Sequence, residues 1–507
     1  MADLRPGEPT VGSPGRTLPP AGETGPPPTG VPGEVISLRL ALTFDDVLLV
    51  PRRSRVRSRR HVATRSSFTR GIELAIPIVS ANMDTVTTAP MAIAMAELGG
   101  LGVIHRFLPV EAQADEVRRV KRYLGHVVTE PYTIGPERTV AEAAAEAARL
   151  GVTGLVVVDA ERRPLGILTA RDMRAAAEAG VAAAMTPAER LVTAPAGTGL
   201  DEARKLLDRH RIEKLPLVGD DGRLAGLITL RDLALRDQYP QATRDEQGRL
   251  RVAAAVGVRG GYLSRAEALL QAGVDALVVD VAHGHADHTL DVIRELKSAW
   301  PDCELVAGNV ATADGFGDLA AAGVDAVKVG IGPGFACTTR LVAGVGVPQL
   351  TAILDCAAAA RENGTPLIAD GGIRHPGDVA KAIAAGASTV MVGSLFAGRQ
   401  ESPGEVVRRG GRHYKVFRGM ASYAAAAARL EIEGRGDALD QYVPEGEEME
   451  FPLRGPVAEI VGELVGGLRS GMSYIDAATV PECWERAVFV RQTQAGQLES
   501  SPGAPAG

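Results

Sequence analysis

The chain has 507 residues, a formal net charge of −7, 45% hydrophobic residues, 23% charged residues and only 4% aromatics. That length suits about three domains of roughly 150 residues, with cores built from Val, Leu, Ile and Ala, and the negative charge argues against general nucleic-acid or anionic-membrane binding. Four cysteines without paired spacing make no disulfide framework, and no apolar run reaches the ~18 residues of a membrane span; a reducing compartment, the cytoplasm, is expected.

Residues 1–34 are Pro/Gly-rich (G-E-T-G-P-P-P-T-G-V-P-G) and lack the apolar core of a signal peptide. They read as a disordered extension. The basic run P-R-R-S-R-V-R-S-R-R, 51–60, reads as a solvated arm. Short β-branched runs then alternate with alanine-rich helical stretches. The candidate strands are I-P-I-V-S-A (76–81), G-L-G-V-I-H (100–105), V-A-A-A-V-G-V (252–258) and A-L-V-V-D-V-A (276–282). E-L-V-A-G-N-V (304–310), A-V-K-V-G-I (326–331), P-L-I-A-D-G-G (366–372) and T-V-M-V-G-S (389–394) follow. Continuous apolar strands separated by helices indicate a parallel sheet buried on both faces. Eight βα units over about 250 residues predict a closed (β/α)8 barrel, an α/β fold. An open doubly wound sheet is the alternative, but no G-x-G-x-x-G opens the first unit.

The series breaks between Arg106 and Val252, and the gap holds an internal repeat. Val152–Asp172 matches Ile212–Asp232, each copy reading strand, turn, strand, then a helix opened by Thr and Asp. A period of about 60 residues used twice is a tandem pair, since solenoids need three or more copies. The pattern resembles a Bateman module of two cystathionine-β-synthase-type (CBS) domains, here 126–183 and 184–239. The barrel would then be discontinuous, 35–125 and 240–495, followed by a flexible tail over 496–507. The resemblance implies adenine- or guanine-nucleotide binding at G-x-x-T-x-x-D, here Gly166, Thr169, Asp172 and Gly226, Thr229, Asp232. Thr and Asp also suit a helix N-terminus, and both roles can coexist.

In such a barrel the chemistry sits on the loops after the strands. Asp280 ends the fourth strand, Asn309 the fifth, and Cys337 lies in the loop after the sixth. Asp370-Gly371-Gly372 end the seventh strand and Gly393-Ser394 the eighth, where glycine amides can hold a phosphate. D-G-G alone is equally a tight turn needing positive φ; with V-G-S one unit later, phosphate binding is the better reading. Free cysteines are usually small buried hydrophobes, and Cys303, Cys356 and Cys483 are read so. Cys337 differs, because Gly330, Gly332 and Gly334 open the backbone around it. Such a loop can steady a thiolate, present carbonyls to a cation, or admit a flat substrate to the sulfur. Thr339 could pass a proton at the reacting centre. A covalent thiol adduct beside a phosphate site is the hypothesis that follows.

From Val35 to about Gln497 the chain resembles the IMP dehydrogenase/GMP reductase family. The resemblance is carried by L-T-F-D-D-V-L-L-V-P (42–51), S-A-N-M-D-T-V-T (80–87), G-G-L-G-V-I-H-R (99–106) and G-I-G-P-G-x-x-C-T-T-R (330–340). It continues in G-V-G-V-P-Q (344–349), A-D-G-G-I-R (369–374), R-G-M-A-S (418–422) and V-P-E-G (443–446). It implies that Cys337 forms a thioimidate at purine C2 of GMP or IMP. Phosphate contacts would come from Gly371, Gly372, Gly393 and Ser394, and ribose contacts from Asp370. Gly419, Met420 and Ala421 would face the base. Asp280, Val281, Ala282, Gly330, Ile331 and Gly332 would meet the nicotinamide cofactor, and carbonyls of Gly332, Gly334 and Cys337 would hold a monovalent cation such as K⁺. A homotetramer, or an octamer of paired tetramers, is implied as well.

Within this family a dehydrogenase hydrolyses the adduct with an adjacent Arg-Tyr pair on a mobile flap, whereas a reductase expels ammonia through a threonine–glutamate relay. The flap, about 422–455, contains no Arg-Tyr dipeptide: Arg429 precedes Leu430 and Arg435 precedes Gly436. Thr339 and Glu445 are both present, and Phe417 stands where dehydrogenases usually place a phosphate-binding Tyr. The CBS pair and D-V-A-H-G-H resemble dehydrogenases instead, and Phe335 replaces a small or hydroxyl residue common to both enzymes. Loss of a water-activating group removes about 10²–10⁴ in rate, so the missing dyad decides for an NADPH-dependent GMP reductase. An NAD⁺-dependent IMP dehydrogenase is the alternative, and a non-catalytic nucleotide sensor the third reading.

Overall fold

In the computed structural model, residues 38–123, 131–433 and 442–500 are described. Residues 38–40 belong to a first unit, Met1–Leu40, and are exposed without regular structure; every helix and strand named here belongs to the second, Ala41–Gly507. The extension expected over 1–34 lies outside the described residues.

Eight parallel strands close into a barrel: β1 (Ile78–Ser80), β2 (Leu101–Ile104), β3 (Ala253–Val256), β4 (Ala276–Asp280), β5 (Glu304–Val310), β6 (Ala326–Val329), β7 (Leu367–Asp370) and β8 (Thr389–Val392). Each lies within one of the expected runs. Alternation sorts their side chains. Val79, Leu101, Val103, Ala253, Val278 and Ile368 form one inner cluster, while Ile78, Ile104, Ala254, Leu277 and Val279 pack into the larger cluster shared with the helices. Phe68, Ile72 and Leu74, from the hairpin before β1, complete the inner cluster at the N-terminal end. Carried to the other end, the same alternation turns three charged residues inward: Asp280, Lys328 and Asp370.

Between β2 and β3 the two repeats fold alike. A four-stranded sheet (Thr133–Ile134, Gly154–Val158, Pro164–Thr169, Thr186–Pro187) is followed by a three-stranded one (Ala194–Pro195, Lys214–Val218, Leu224–Thr229). Their hairpins slip register at matching positions, Val157/Val158 and Leu217/Val218. Val156, Val158, Leu224 and Leu227 form a small core shared by both copies. Each repeat opens its helix with a capping box. Asp172 Oδ2 accepts from Thr169 N (2.8 Å) and Oγ1 (2.6 Å), and Asp232 Oδ2 from Thr229 N (3.2 Å) and Oγ1 (2.6 Å). The insert is moored at its base by Lys121, whose buried Nζ lies 2.7 Å from Asp275 and 3.0 Å from Asp245.

One expected boundary changes. Gln494–Glu499, partly inside the supposed tail, is a helix because Thr493 accepts from Gly496 N as its N-cap; residues 501–507 lie outside the described residues. Only the ends of the expected flap are described. It starts as the helix Tyr423–Glu433, and Glu448–Pro452 is a strand paired with Arg412–Arg418.

Glu97 ends the helix Ala89–Glu97 and is 9% exposed. Burial pushes its carboxyl up to about 7, against the opposing pull of a hydrogen bond with Tyr123 and the nearby Arg244. The folded chain therefore holds this proton more tightly than the unfolded one. The associated stability is complete below about pH 4.5 and is lost as pH rises through about 7. Glu97→Gln, neutral at every pH, should raise the thermal midpoint more at pH 8 than at pH 5. The difference should correspond to about 2–3 kcal/mol; equal gains at both pH values would remove Glu97 as the cause.

Candidate active site

A cavity of about 950 Å³ opens at the C-terminal mouth of the barrel, and Cys337, Thr339 and Glu445 line it together. The Cys337 thiol donates to Thr339 Oγ1 at 3.2 Å, and that hydroxyl donates to Glu445 Oε2 at 2.8 Å. Sulfur, hydroxyl and carboxylate thus form one continuous proton path. Backbone lacing sets this geometry. Thr338 N donates to Glu445 O (2.9 Å), Glu447 N to Ala336 O (2.9 Å), Gly419 N to Glu447 O (2.9 Å) and Glu445 N to Ala421 O (3.0 Å). The thiol loop, the V-P-E-G segment and the R-G-M-A-S loop are therefore stitched side by side. Arg418 anchors the last of these by an ion pair to the buried Asp84, with Arg418 Nε 2.7 Å from its Oδ2.

Cys337 is partly exposed, unlike Cys356 and Cys483, which are buried. Burial pushes the thiols of Cys356 and Cys483 up to about 12 and that of Cys303 up to about 11. They stay protonated and inert.

Every residue expected at the barrel mouth lines the same cavity. Asp370, Gly371, Gly372, Gly393 and Ser394 stand on one part of its wall, and Gly419, Met420 and Ala421 on another. Asp280, Val281, Ala282 and Gly330, Ile331, Gly332 continue it, with Gly334 beside the thiol. Gly371 and Gly372 both have positive φ (+92° and +83°), and a Cβ on Gly371 would come within 3.1 Å of Gly334 N. The D-G-G turn therefore needs glycine to pass close under the thiol loop, whatever it binds. Gly334 O accepts from Cys337 N at 3.0 Å, leaving a lone pair that could still face a cation. Thr169, Asp172, Thr229 and Asp232 belong to the insert and do not line this cavity.

Sequence reasoning missed Lys328. It is 2% exposed, and its ammonium bridges Asp280 and Asp370 at 3.2 Å each. Asn309 Nδ2 donates to the same Asp370 oxygen at 2.9 Å, and Gln349 Nε2 to Asp370 O at 3.1 Å. Burial raises the Asp280 carboxyl, but Lys328 and Arg106 outweigh it and hold it below the usual range. Lys328 itself is raised, because its two carboxylates outweigh burial. The signal was available: a lysine at an inward position of an otherwise apolar strand, V-K-V, needs buried partners. Removing one member of such a buried set leaves uncompensated charge. Lys328→Met should destabilise the fold by about 3–5 kcal/mol; an unchanged unfolding midpoint would refute this.

The flap ends contribute two further residues that the sequence keeps apart. Arg429 and Tyr442 both line the cavity, and the Tyr442 hydroxyl donates to Ala421 O at 3.0 Å. Phe417 is fully buried and packs edge-on to Phe451 (5.3 Å between centroids), which meets the exposed Phe335 at 5.8 Å.

A closed parallel barrel with thiol, hydroxyl and carboxylate in series at its C-terminal mouth is the layout of a barrel enzyme. The chain belongs to the IMP dehydrogenase/GMP reductase family, whose domain matches residues 41–503. It is 49% identical over 466 residues to inosine-5′-monophosphate dehydrogenase of Nitrosopumilus maritimus, covering 91% of this chain and 98% of that protein. The same enzyme of Aquifex aeolicus is 50% identical over 468 residues, 91% of this chain and 95% of the relative. Among solved structures, a cysteine-to-alanine GMP reductase of Trypanosoma brucei in complex with guanosine 5′-monophosphate superposes with a TM-score of 0.88 at 43% identity. That match covers 92% of this chain and 98% of the other. GMP reductase of the same organism in complex with guanosine 5′-triphosphate gives 0.78 at 40% identity, covering 90% and 99%. The chain is thus an oxidoreductase of purine metabolism. Among the described residues no helix is long and apolar enough to cross a membrane.

Proposed function

We propose that the protein is a GMP reductase, converting GMP to IMP and ammonia through a covalent adduct on Cys337. The observation that carries this reading is the unbroken path from Cys337 through Thr339 to Glu445. As the sulfur bonds to purine C2, its proton passes along that path. Glu445 and Thr339 then return a proton to the exocyclic amine, so the C2–N bond breaks with ammonia as leaving group. NADPH, when bound, supplies the hydride that replaces sulfur at C2 and frees the thiol. Asp280, Val281, Ala282 and Gly330 to Gly332 would hold its nicotinamide end. Asp370 and the glycines at 371, 372 and 393 with Ser394 would hold ribose and phosphate, and Gly419 to Ala421 the base. Carbonyls of Gly332, Gly334 and Cys337 suit a K⁺ ion.

Two observations favour the dehydrogenase reading: Arg429 and Tyr442, separate in sequence, line the same cavity, and the relatives at 49–50% identity carry that name. Against it, the Tyr442 hydroxyl is already spent on Ala421 O. The decisive assay is absorbance at 340 nm with purified protein. GMP-dependent NADPH loss is expected; NADH formation from IMP and NAD⁺ without it would overturn the assignment.

For the insert, regulation by adenine or guanine nucleotides at Thr169, Asp172, Thr229 and Asp232 accords with both aspartates keeping Oδ1 outside the capping box. A tetrameric or octameric assembly and a cytoplasmic location belong to the same proposal.

A further inference from the structure

We propose a second, anion-binding site at the N-terminal end of the barrel, which takes a phosphate or pyrophosphate group against the segment through which the chain returns from the insert. A cavity of about 540 Å³ lies there, remote from the thiol, since Ala75 precedes β1 and Thr243 precedes β3. Its lining brings together Arg60, Arg65, Arg244 and Arg469 with His61. The sole acid in that lining, Glu73, is paired with Arg65 at 2.9 Å, so three guanidiniums are left in excess. Three residues of this lining also carry a buried side-chain atom without a hydrogen-bond partner among the described residues, Thr243 Oγ1, Arg244 Nη2 and Arg469 Nε, although Arg244 Nη1 donates to Gly248 O at 3.2 Å. Thr243 is only 5% exposed. Buried donors without acceptors are rare in folded proteins, and guanidiniums lining one cavity together with a hydroxyl suit phosphate oxygens. Glu97, a carboxylate whose charge acts on Arg244, is pushed up to about 7 by burial.

The position gives the site a consequence. Residues 240–244 lead out of the second repeat, and Thr243 is tied to the barrel by its N–H to Ala96 O (2.8 Å) and by Arg251 N to its carbonyl (2.9 Å). A polyanion bridging Arg244 to Arg60 and Arg469 would clamp this return path to the barrel floor. The inference does not depend on which reaction the thiol performs.

The test titrates full-length protein with inorganic pyrophosphate, and separately with ATP, by calorimetry and by hydrogen exchange. Saturable pyrophosphate binding is expected, with slowed exchange at 61–65 and 241–244. Arg244→Gln, and Arg60→Gln at an exposed position, should each weaken it about tenfold. If a nucleotide tail is the natural occupant, ATP will protect the same amides at lower concentration than pyrophosphate. If a free anion is, pyrophosphate alone will do so. No saturable pyrophosphate binding, binding unchanged in both variants, or protection elsewhere only would overturn the site.

Discussion

Cys337→Ser is expected to lower GMP turnover by about 10⁴-fold or more while leaving the fold and nucleotide binding intact. Serine fits the same space and can keep the contact that the thiol makes to Thr339 Oγ1 at 3.2 Å, so the loss is chemical rather than structural. A hydroxyl is a far weaker nucleophile towards purine C2 than a thiolate, and Thr339 with Glu445 forms a proton path, not a strong base. No other thiol can substitute. Cys303, Cys356 and Cys483 are pushed up to about 11–12 by burial and lie outside the cavity lining. Mass spectrometry after incubation with 6-chloropurine nucleotide should place one adduct on Cys337 and none in the variant. An adduct on another cysteine, or turnover within tenfold of wild type, would remove the sulfur from the mechanism. A sensor that only binds would show no adduct at all.

The barrel was legible because parallel strands buried on both faces are written as continuous apolar runs. Boundaries shifted where glycine or a charged residue trails the run, as in 252–258, which shortens to Ala253–Val256. Asp280, Asp370, Gly393 and Cys337 line the mouth, where strand-end position alone puts them. Glu445 is not placed so: it stands 106 residues after Thr339, and only the family resemblance links them. No local pattern could show that V-P-E-G lies alongside the thiol loop, since the contacts are backbone bonds between distant segments. Nor does a dipeptide pattern reveal Arg429 and Tyr442, which meet one cavity from two ends of the flap. Most of the basic run is exposed, as its charge pattern predicts. Arg60, its last residue, joins a cavity built from four separate stretches of chain, which charge patterning cannot reveal.

Glu445→Gln separates the two chemistries most sharply. In the reductase reading the carboxylate, 2.8 Å from Thr339 Oγ1, is among the described residues the only acid hydrogen-bonded to the relay. Gln keeps the shape and the hydrogen bond but cannot carry a proton, so ammonia departure should slow by about 10²–10⁴. The hydride half-reaction delivers no proton to a leaving amine; run from IMP it only releases the thiol's own proton, which solvent can take because Cys337 is partly exposed. Run backwards from IMP and oxidised cofactor, the first half of the cycle should therefore proceed in the variant at near wild-type rate and stop at the Cys337 adduct. Thr339→Val, which interrupts the path one step earlier, should give the same split, whereas Thr339→Ser should restore GMP turnover. A merely structural role for Glu445, bracing the V-P-E-G segment against the thiol loop, would instead depress both half-reactions together. If the variant's GMP turnover falls by less than tenfold, or the hydride step collapses in parallel, the relay is not the route by which the amine leaves. Attention would then move to water activated near Arg429 and Tyr442, and with it to the dehydrogenase reaction.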